Sequence, residues 1–172
     1  HQEGVDFAKA QIKITGLESV RSSTPEVSRD LIKHTIRLVL EADESTTVSF
    51  MKDVKKRFEK LPPEHIASPS SINGLSDYTK GVKTRIPMHV RGAIRFNKAI
   101  EEYELQTQCE PIYEFDKIKV IPLLTPNHLN ENVISFKDTV PKQLGLDVYI
   151  DYETQFNKTY VEPMQRIFDV IG

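Results

Sequence analysis

Gln11-Ile12-Lys13-Ile14-Thr15-Gly16, followed six residues on by Ser22-Ser23-Thr24-Pro25-Glu26, is the stretch on which the reading of the fold turns. The first run alternates apolar and polar residues, as a half-buried strand does, and Gly16 closes it. The second is a helix start. Ser23 and Glu26 have capping-box spacing, and Thr24 before a Pro25 at the first helical position is the rival register. A strand that gives way to helix here predicts a mixed fold with a boundary near Gly16.

Working outward, the first helix carries Val27, Leu31, Thr35, Leu38 and Val39 on one stripe and ends near Ala42-Asp43. A second helix is predicted from about Ser45 to Lys60. Val48, Met51, Val54, Phe58 and Leu61 form its apolar stripe, and Leu61-Pro62-Pro63 stops it. Glu64–Arg85 shows no helical or strand period, is rich in Ser, Gly, Pro and Asn, and reads as a long loop with a turn at Asn73-Gly74. Val90–Glu102 reads as a third helix, with Ala93 and Ile94 toward a core and Arg91, Arg95 and Lys98 exposed. Ile112–Phe115, Lys117–Ile121 and Val133–Phe136 read as short strands. Asp151–Ile171 is the clearest helix, and Pro163 inside it should kink it or mark a join. The fold class is therefore α+β, helix-rich, with a small sheet.

The 172 residues suit one domain, and the 38% hydrophobic share suits a packed core. Net charge is −2, which does not by itself mark a nucleic-acid binder. Its distribution is uneven. Lys52–Lys98 holds 11 basic and 4 acidic residues, whereas Ala99–Gly172 holds 6 basic and 13 acidic. The basic middle is either an electrostatic footprint for phosphate or a solvated helix face beside a basic loop.

Several chemistries find no motif. There is no phosphate-cradling glycine loop, no paired-cysteine metal motif and no zinc-protease signature. Cys109 is the single cysteine, so no internal disulfide forms, and no His or Asn pattern supports a catalytic thiol. His34, His65, His89 and His128 are isolated in sequence, and the carboxylates form no set of the kind a two-metal site needs. No apolar run approaches the ~18 residues of a membrane span, and no membrane partner is expected.

Two polar stretches have the character of a phosphodiester grip. Arg21-Ser22-Ser23 precedes a helix, where hydroxyls and free amides suit anions, although plain capping explains it equally. Ser68-Pro69-Ser70-Ser71-Ile72-Asn73-Gly74 allows close backbone approach, and Lys80, Lys83 and Arg85 follow it with charge; a surface loop is the bland alternative.

Lys13-Ile14-Thr15-Gly16-Leu17-Glu18 and Arg21-Ser22-Ser23-Thr24-Pro25 resemble the palm-to-thumb crossing of T-even-like bacteriophage family B replicative DNA polymerases. Ile66-Ala67-Ser68, Ser70-Ser71 and Pro87-Met88-His89-Val90-Arg91-Gly92 resemble the thumb signatures that come next. Asp151-Tyr152, Phe156-Asn157-Lys158-Thr159 and Pro163 resemble the family's last large helix. The resemblance spans nearly the whole chain and is patchy between Glu101 and Val148.

It implies a helix-rich polymerase thumb at residues 17–172, with a small antiparallel sheet, and a palm remnant strand at residues 1–16. It implies a fragment that grips primer–template DNA and is not catalytic alone. Arg21, Ser22, Ser71, Lys80, Lys83, Arg85, His89, Arg91 and Lys158 stand at or beside positions that meet DNA. Asp77 and Glu162 depart from the family by replacing lysine. The parent would be a DNA-directed DNA polymerase using Mg²⁺, with a 3′–5′ exonuclease elsewhere in the chain. Its partners would be the rest of that chain (palm, fingers and exonuclease) and a sliding clamp bound through a peptide beyond Gly172, in the cytoplasm of an infected bacterium. The residue-based alternatives are a free-standing nucleic-acid-binding accessory module and a protein-interaction domain.

Overall fold

A computed structural model describes residues 9–10, 23–81 and 84–169. In chain order the elements are α1 (Glu26–Glu41), α2 (Glu44–Phe58), α3 (Pro63–Ile66), β1 (Ser68–Ser71), α4 (Leu75–Thr79) and α5 (Met88–Glu102). Then come β2 (Lys117–Pro122), β3 (Val133–Phe136), two 3₁₀ turns (Lys142–Leu144, Asp147–Tyr149), α6 (Tyr152–Phe156), a π turn (Asn157–Val161) and α7 (Glu162–Asp169). The fold is helix-rich α+β with a three-stranded antiparallel sheet, as the sequence predicts. The expected strand at Gln11–Thr15 lies outside the described residues. Two compact units are present: His1–Ile66 together with Tyr152–Gly172, and Ala67–Asp151.

In the first unit α1 begins at Glu26. Pro25 is its N-cap and no side chain caps it, so neither predicted capping register is used. The buried face of α1 is Ser28, Ile32, Thr35 and Ile36; of the expected stripe only Thr35 lies on it. The reason is polar. Ser28 Oγ donates to Thr159 Oγ1 at 2.9 Å, and Thr159 Oγ1 donates to Gln155 O at 2.8 Å. Thr35 Oγ1 donates to Leu31 O at 2.8 Å, which leaves Tyr160 OH as donor in its 2.7 Å bond to Thr35. Buried hydroxyls that satisfy one another cost little, so a hydropathy stripe misplaces this face.

α2 is capped by Asp43, whose Oδ1 accepts the Thr46 N–H at 2.7 Å. This fixed charge–amide contact holds the Asp43 carboxyl below its ordinary pKa. Val54 and Phe58 are fully buried, and the Phe58 ring meets Phe156 at 5.2 Å and Tyr152 edge-on at 6.4 Å. Val48, expected on the apolar stripe, is 41% exposed. The predicted helix at 151–171 is broken into α6, the π turn and α7. Pro163 has no N–H for the carbonyl four residues back, and the ladder widens so that Glu162 N–H reaches Asn157 O.

In the second unit β2 pairs with β1 on one side and β3 on the other. The register sets Pro69 opposite Lys119, Ser71 opposite Lys117, Val120 opposite Ser135 and Ile121 opposite Ile134. Two expectations fail here. Glu64–Arg85 is not one loop, because it contains α3, β1 and α4. β1 has the sequence Ser-Pro-Ser-Ser, with no apolar alternation; it is a strand because the β2 edge hydrogen-bonds it, and Pro69 is tolerated at a sheet edge. Ile112–Phe115 is not a strand. Tyr113–Asp116 is a turn in which Asp116 N–H donates to Tyr113 O and Phe115 sits at φ 67°.

α5 lies on the sheet through β3. Its backbone at Gly92 comes so close that an added Cβ would meet Ser135 Oγ at 2.6 Å and Ser135 N at 2.8 Å. Ser135 Oγ donates to His89 O at 2.8 Å, one turn earlier. The glycine of the Pro87–Gly92 signature is thus accounted for by packing.

Candidate nucleic-acid interface

Arg21, Ser22 and Lys83 lie outside the described residues. Ser71, Lys80, Arg85, His89 and Arg91 belong to the second unit, and Lys158 to the first. The basic middle of the sequence is divided in the same way, with Lys52–Lys60 in the first unit and Lys80–Lys98 in the second.

Within the second unit the candidates differ in what they have free. Ser71 ends β1 and is exposed. Lys80 caps the C-terminus of α4 and is exposed, and Arg85 is exposed ahead of Pro87. His89 is half-buried in the first turn of α5, and burial pushes its pKa below 6.5. At pH 7 it is therefore neutral and offers hydrogen bonding without charge. Arg91, expected to be exposed, donates from Nη1 to Glu131 Oε1 at 2.8 Å. Arg95, expected likewise, is held by Leu129 O at 2.8 Å and Glu102 at 3.1 Å. These two cations serve internal ion pairs, so the basic stretch carries less available charge than its composition implies. In the first unit Lys158 projects from the π turn, and its side chain is exposed.

The Asn73-Gly74 turn also differs from its sequence reading. The backbone amides of Gly74 and Leu75 both donate to the Glu114 carboxylate, the latter at 2.8 Å. An acidic residue forty positions away therefore fills the anion-holding turn. Replacing Glu114 by glutamine is expected to speed hydrogen exchange at Gly74 and Leu75 about tenfold, since bonds to a charged acceptor contribute ~1.5–3 kcal/mol. The amide of Ile134 should be unaffected. Unchanged rates at both turn amides would show that the carboxylate does not hold them.

The sequence reading missed Lys117 and Lys119. The β1–β2 register sets them opposite Ser71 and Pro69, on the same sheet face. No ion pair to either is present among the described residues, and the nearest acids in sequence are occupied. Glu114 accepts two amides, and Asp116 is paired with Lys137 at 2.9 Å, which holds the Asp116 carboxyl below its usual range. The available signal was the i, i+2 spacing of the lysines in a predicted strand. It was hidden by the net negative charge of the surrounding third. Among the described residues no group of three or more His, Cys, Asp or Glu is placed to hold a metal, and no helix is long and apolar enough to cross a membrane.

No protein-family model matches the chain. It is similar to the DNA-directed DNA polymerase of Enterobacteria phage T4, with 28% identity over 172 residues, covering 96% of this chain and 19% of that protein. It is similar also to the DNA-directed DNA polymerase of Escherichia phage RB69, with 30% identity over 169 residues, covering 95% of this chain and 18% of that protein. The chain is homologous to both phage polymerases along nearly its whole length, and it spans about a fifth of theirs.

Proposed function

We propose that the chain is the duplex-holding part of a phage DNA-directed DNA polymerase, the thumb of a family B enzyme at residues 17–172 with the end of the palm at residues 1–16. The observation that carries this reading is the homology to two phage polymerases over 95–96% of the chain. The exposed Ser71, Lys80 and Arg85 of the second unit supply a hydroxyl and cations of the kind that hold phosphates without reading sequence. Lys83 and His89 of the second unit are further proposed contacts, with Arg91 there held by Glu131 and left to positioning; Arg21, Ser22 and Lys158 are proposed for the first unit by itself.

The parent enzyme joins nucleotides with Mg²⁺, which supplies charge stabilisation at the transferring phosphoryl group. The part we propose for this chain is positioning of the duplex. Its partners are primer–template DNA and the remaining polymerase domains, in the cytoplasm of an infected bacterium. The parent engages a sliding clamp as well.

The test is a salt titration of duplex binding. The chain should bind a primer–template with a dissociation constant of about 10⁻⁴–10⁻⁶ M, whatever its sequence, and weaken as salt rises. Arg85→Ala should lower the slope of log K against log salt by about 0.9, the value of one duplex phosphate contact. A slope equal to that of the parent removes Arg85 from the interface. Binding indifferent to salt removes the phosphate grip.

A further inference from the structure

Phe115 is 76% exposed and sits at φ 67°, in the left-handed region that a bulky residue rarely adopts. Both features cost free energy, and the surroundings enforce them. Phe115 N–H donates to Ile72 O at 2.9 Å, and Ile72 N–H donates to Asp116 O at 3.0 Å, so the residue is pinned one position beyond Ser71. A strained backbone that holds an apolar ring in water points to a contact made outside the chain. Tyr113, also exposed at 58%, has the Lys137 ammonium 5.2 Å from its ring centre. Among the described residues Phe115 has no comparable ring or cation partner.

The surroundings select the occupant. Two residues on are Lys117 and then Lys119, about 6.6 Å apart along the strand at ~3.3 Å per residue. Ser71 lies directly across from Lys117, and the carboxylates of Glu114 and Asp116 are already engaged. An exposed aromatic ring beside a short row of cations and hydroxyls is the arrangement that binds a nucleic-acid strand with its bases accessible. The ring stacks on a base, whatever its identity, and the cations follow the backbone.

We infer that Phe115, with Lys117 and Lys119, is a stacking platform for an unpaired base of single-stranded DNA, distinct from the duplex grip. It rests on the preceding reading only in taking DNA as the partner.

The test compares the parent chain with Phe115→Gly and Phe115→Trp, using a short dye-labelled oligothymidylate and a hairpin duplex. Glycine accepts the left-handed backbone without strain, so Phe115→Gly should keep or raise the thermal midpoint. It should weaken oligothymidylate binding about tenfold, within the ~1–3 kcal/mol of one stacked base. The salt slope should not change, and duplex binding should stay within about twofold. Lys117→Ala and Lys119→Ala should each lower the single-strand slope by about 0.7. The chain has no tryptophan, so Phe115→Trp gives a single reporter whose emission should be quenched by the oligonucleotide. Unchanged oligothymidylate affinity in Phe115→Gly, an unresponsive tryptophan, or an equal loss on the duplex would overturn the inference. If the parent then still binds duplex with a salt-dependent affinity, the grip stands without the platform. If it binds neither DNA, both readings fall.

Discussion

Replacing Gly92 by alanine is expected to destabilise the second unit by about 3 kcal/mol, the upper part of the ordinary range for an overpacked core. The sign needs an argument, because alanine in a helix interior normally gains ~1 kcal/mol over glycine. Here the new methyl would stand 2.6 Å from Ser135 Oγ, 2.8 Å from Ser135 N and 3.0 Å from Ile134 C. Two of those atoms are backbone in β3, whose residues are all buried, and they cannot rotate away. Ser135 Oγ is itself committed to His89 O, so moving it leaves a part-buried carbonyl less well satisfied. Stability of ~5–15 kcal/mol is usual for a domain, so such a loss is a large share of the total. Urea denaturation followed by circular dichroism measures it. A midpoint at or above that of the parent would mean that α5 does not ride this close to the sheet.

The second large effect is expected at Asn97, on the same helix. Its side-chain oxygen accepts the Ile112 N–H at 2.7 Å, and its amide nitrogen donates to Ile112 O at 2.9 Å. Ile112 is only 1% exposed, so water does not readily replace either bond. Asn97→Ala should cost about 2–6 kcal/mol, taking ~1–3 for each of the two part-buried groups left without a partner. Asn97→Asp keeps the acceptor and loses the donor, and at pH 7 it turns a carboxylate oxygen toward Ile112 O. It should be no more stable than the alanine variant at neutral pH and should recover part of the loss in acid, when the protonated carboxyl again donates. Denaturation midpoints at two pH values, with hydrogen exchange at Ile112, measure both effects. A change below ~0.5 kcal/mol for Asn97→Ala would show that the 112–116 segment is held by other contacts.

The elements with their own apolar period were legible. α2, α5, β2 and β3 fall at the predicted 45–60, 90–102, 117–121 and 133–136; in α5 Ala93 is buried as expected, whereas Ile94 is only half-buried. β1 was not, because Ser68-Pro69-Ser70-Ser71 has no pattern of its own and takes its conformation from β2. The face of α1 was read only in part: Thr35 is buried as expected, but Ser28 is buried through a hydroxyl partner more than a hundred residues away and turns the face toward Ile32 and Ile36. The candidate site shows the same limit. Sequence marks Arg91 as a cation and cannot show that Glu131 holds it, and it marks Asn73-Gly74 as an open turn when Glu114 closes it. Lys117 and Lys119 acquire meaning only from the register that brings Ser71 opposite them.

The first unit is built from two runs that flank the second, which is one continuous run, residues 67–151. The ribosome therefore finishes the second unit first. α1 and α2 emerge before it, but the partners of their buried face, Thr159 and Tyr160 for α1 and Phe156 for α2, emerge only after it. At ~5–20 residues per second that wait lasts on the order of several seconds. During it the Phe58 ring and the Ser28 and Thr35 hydroxyls have none of these partners, and the newborn helices pass through a period in which chaperone capture competes with folding.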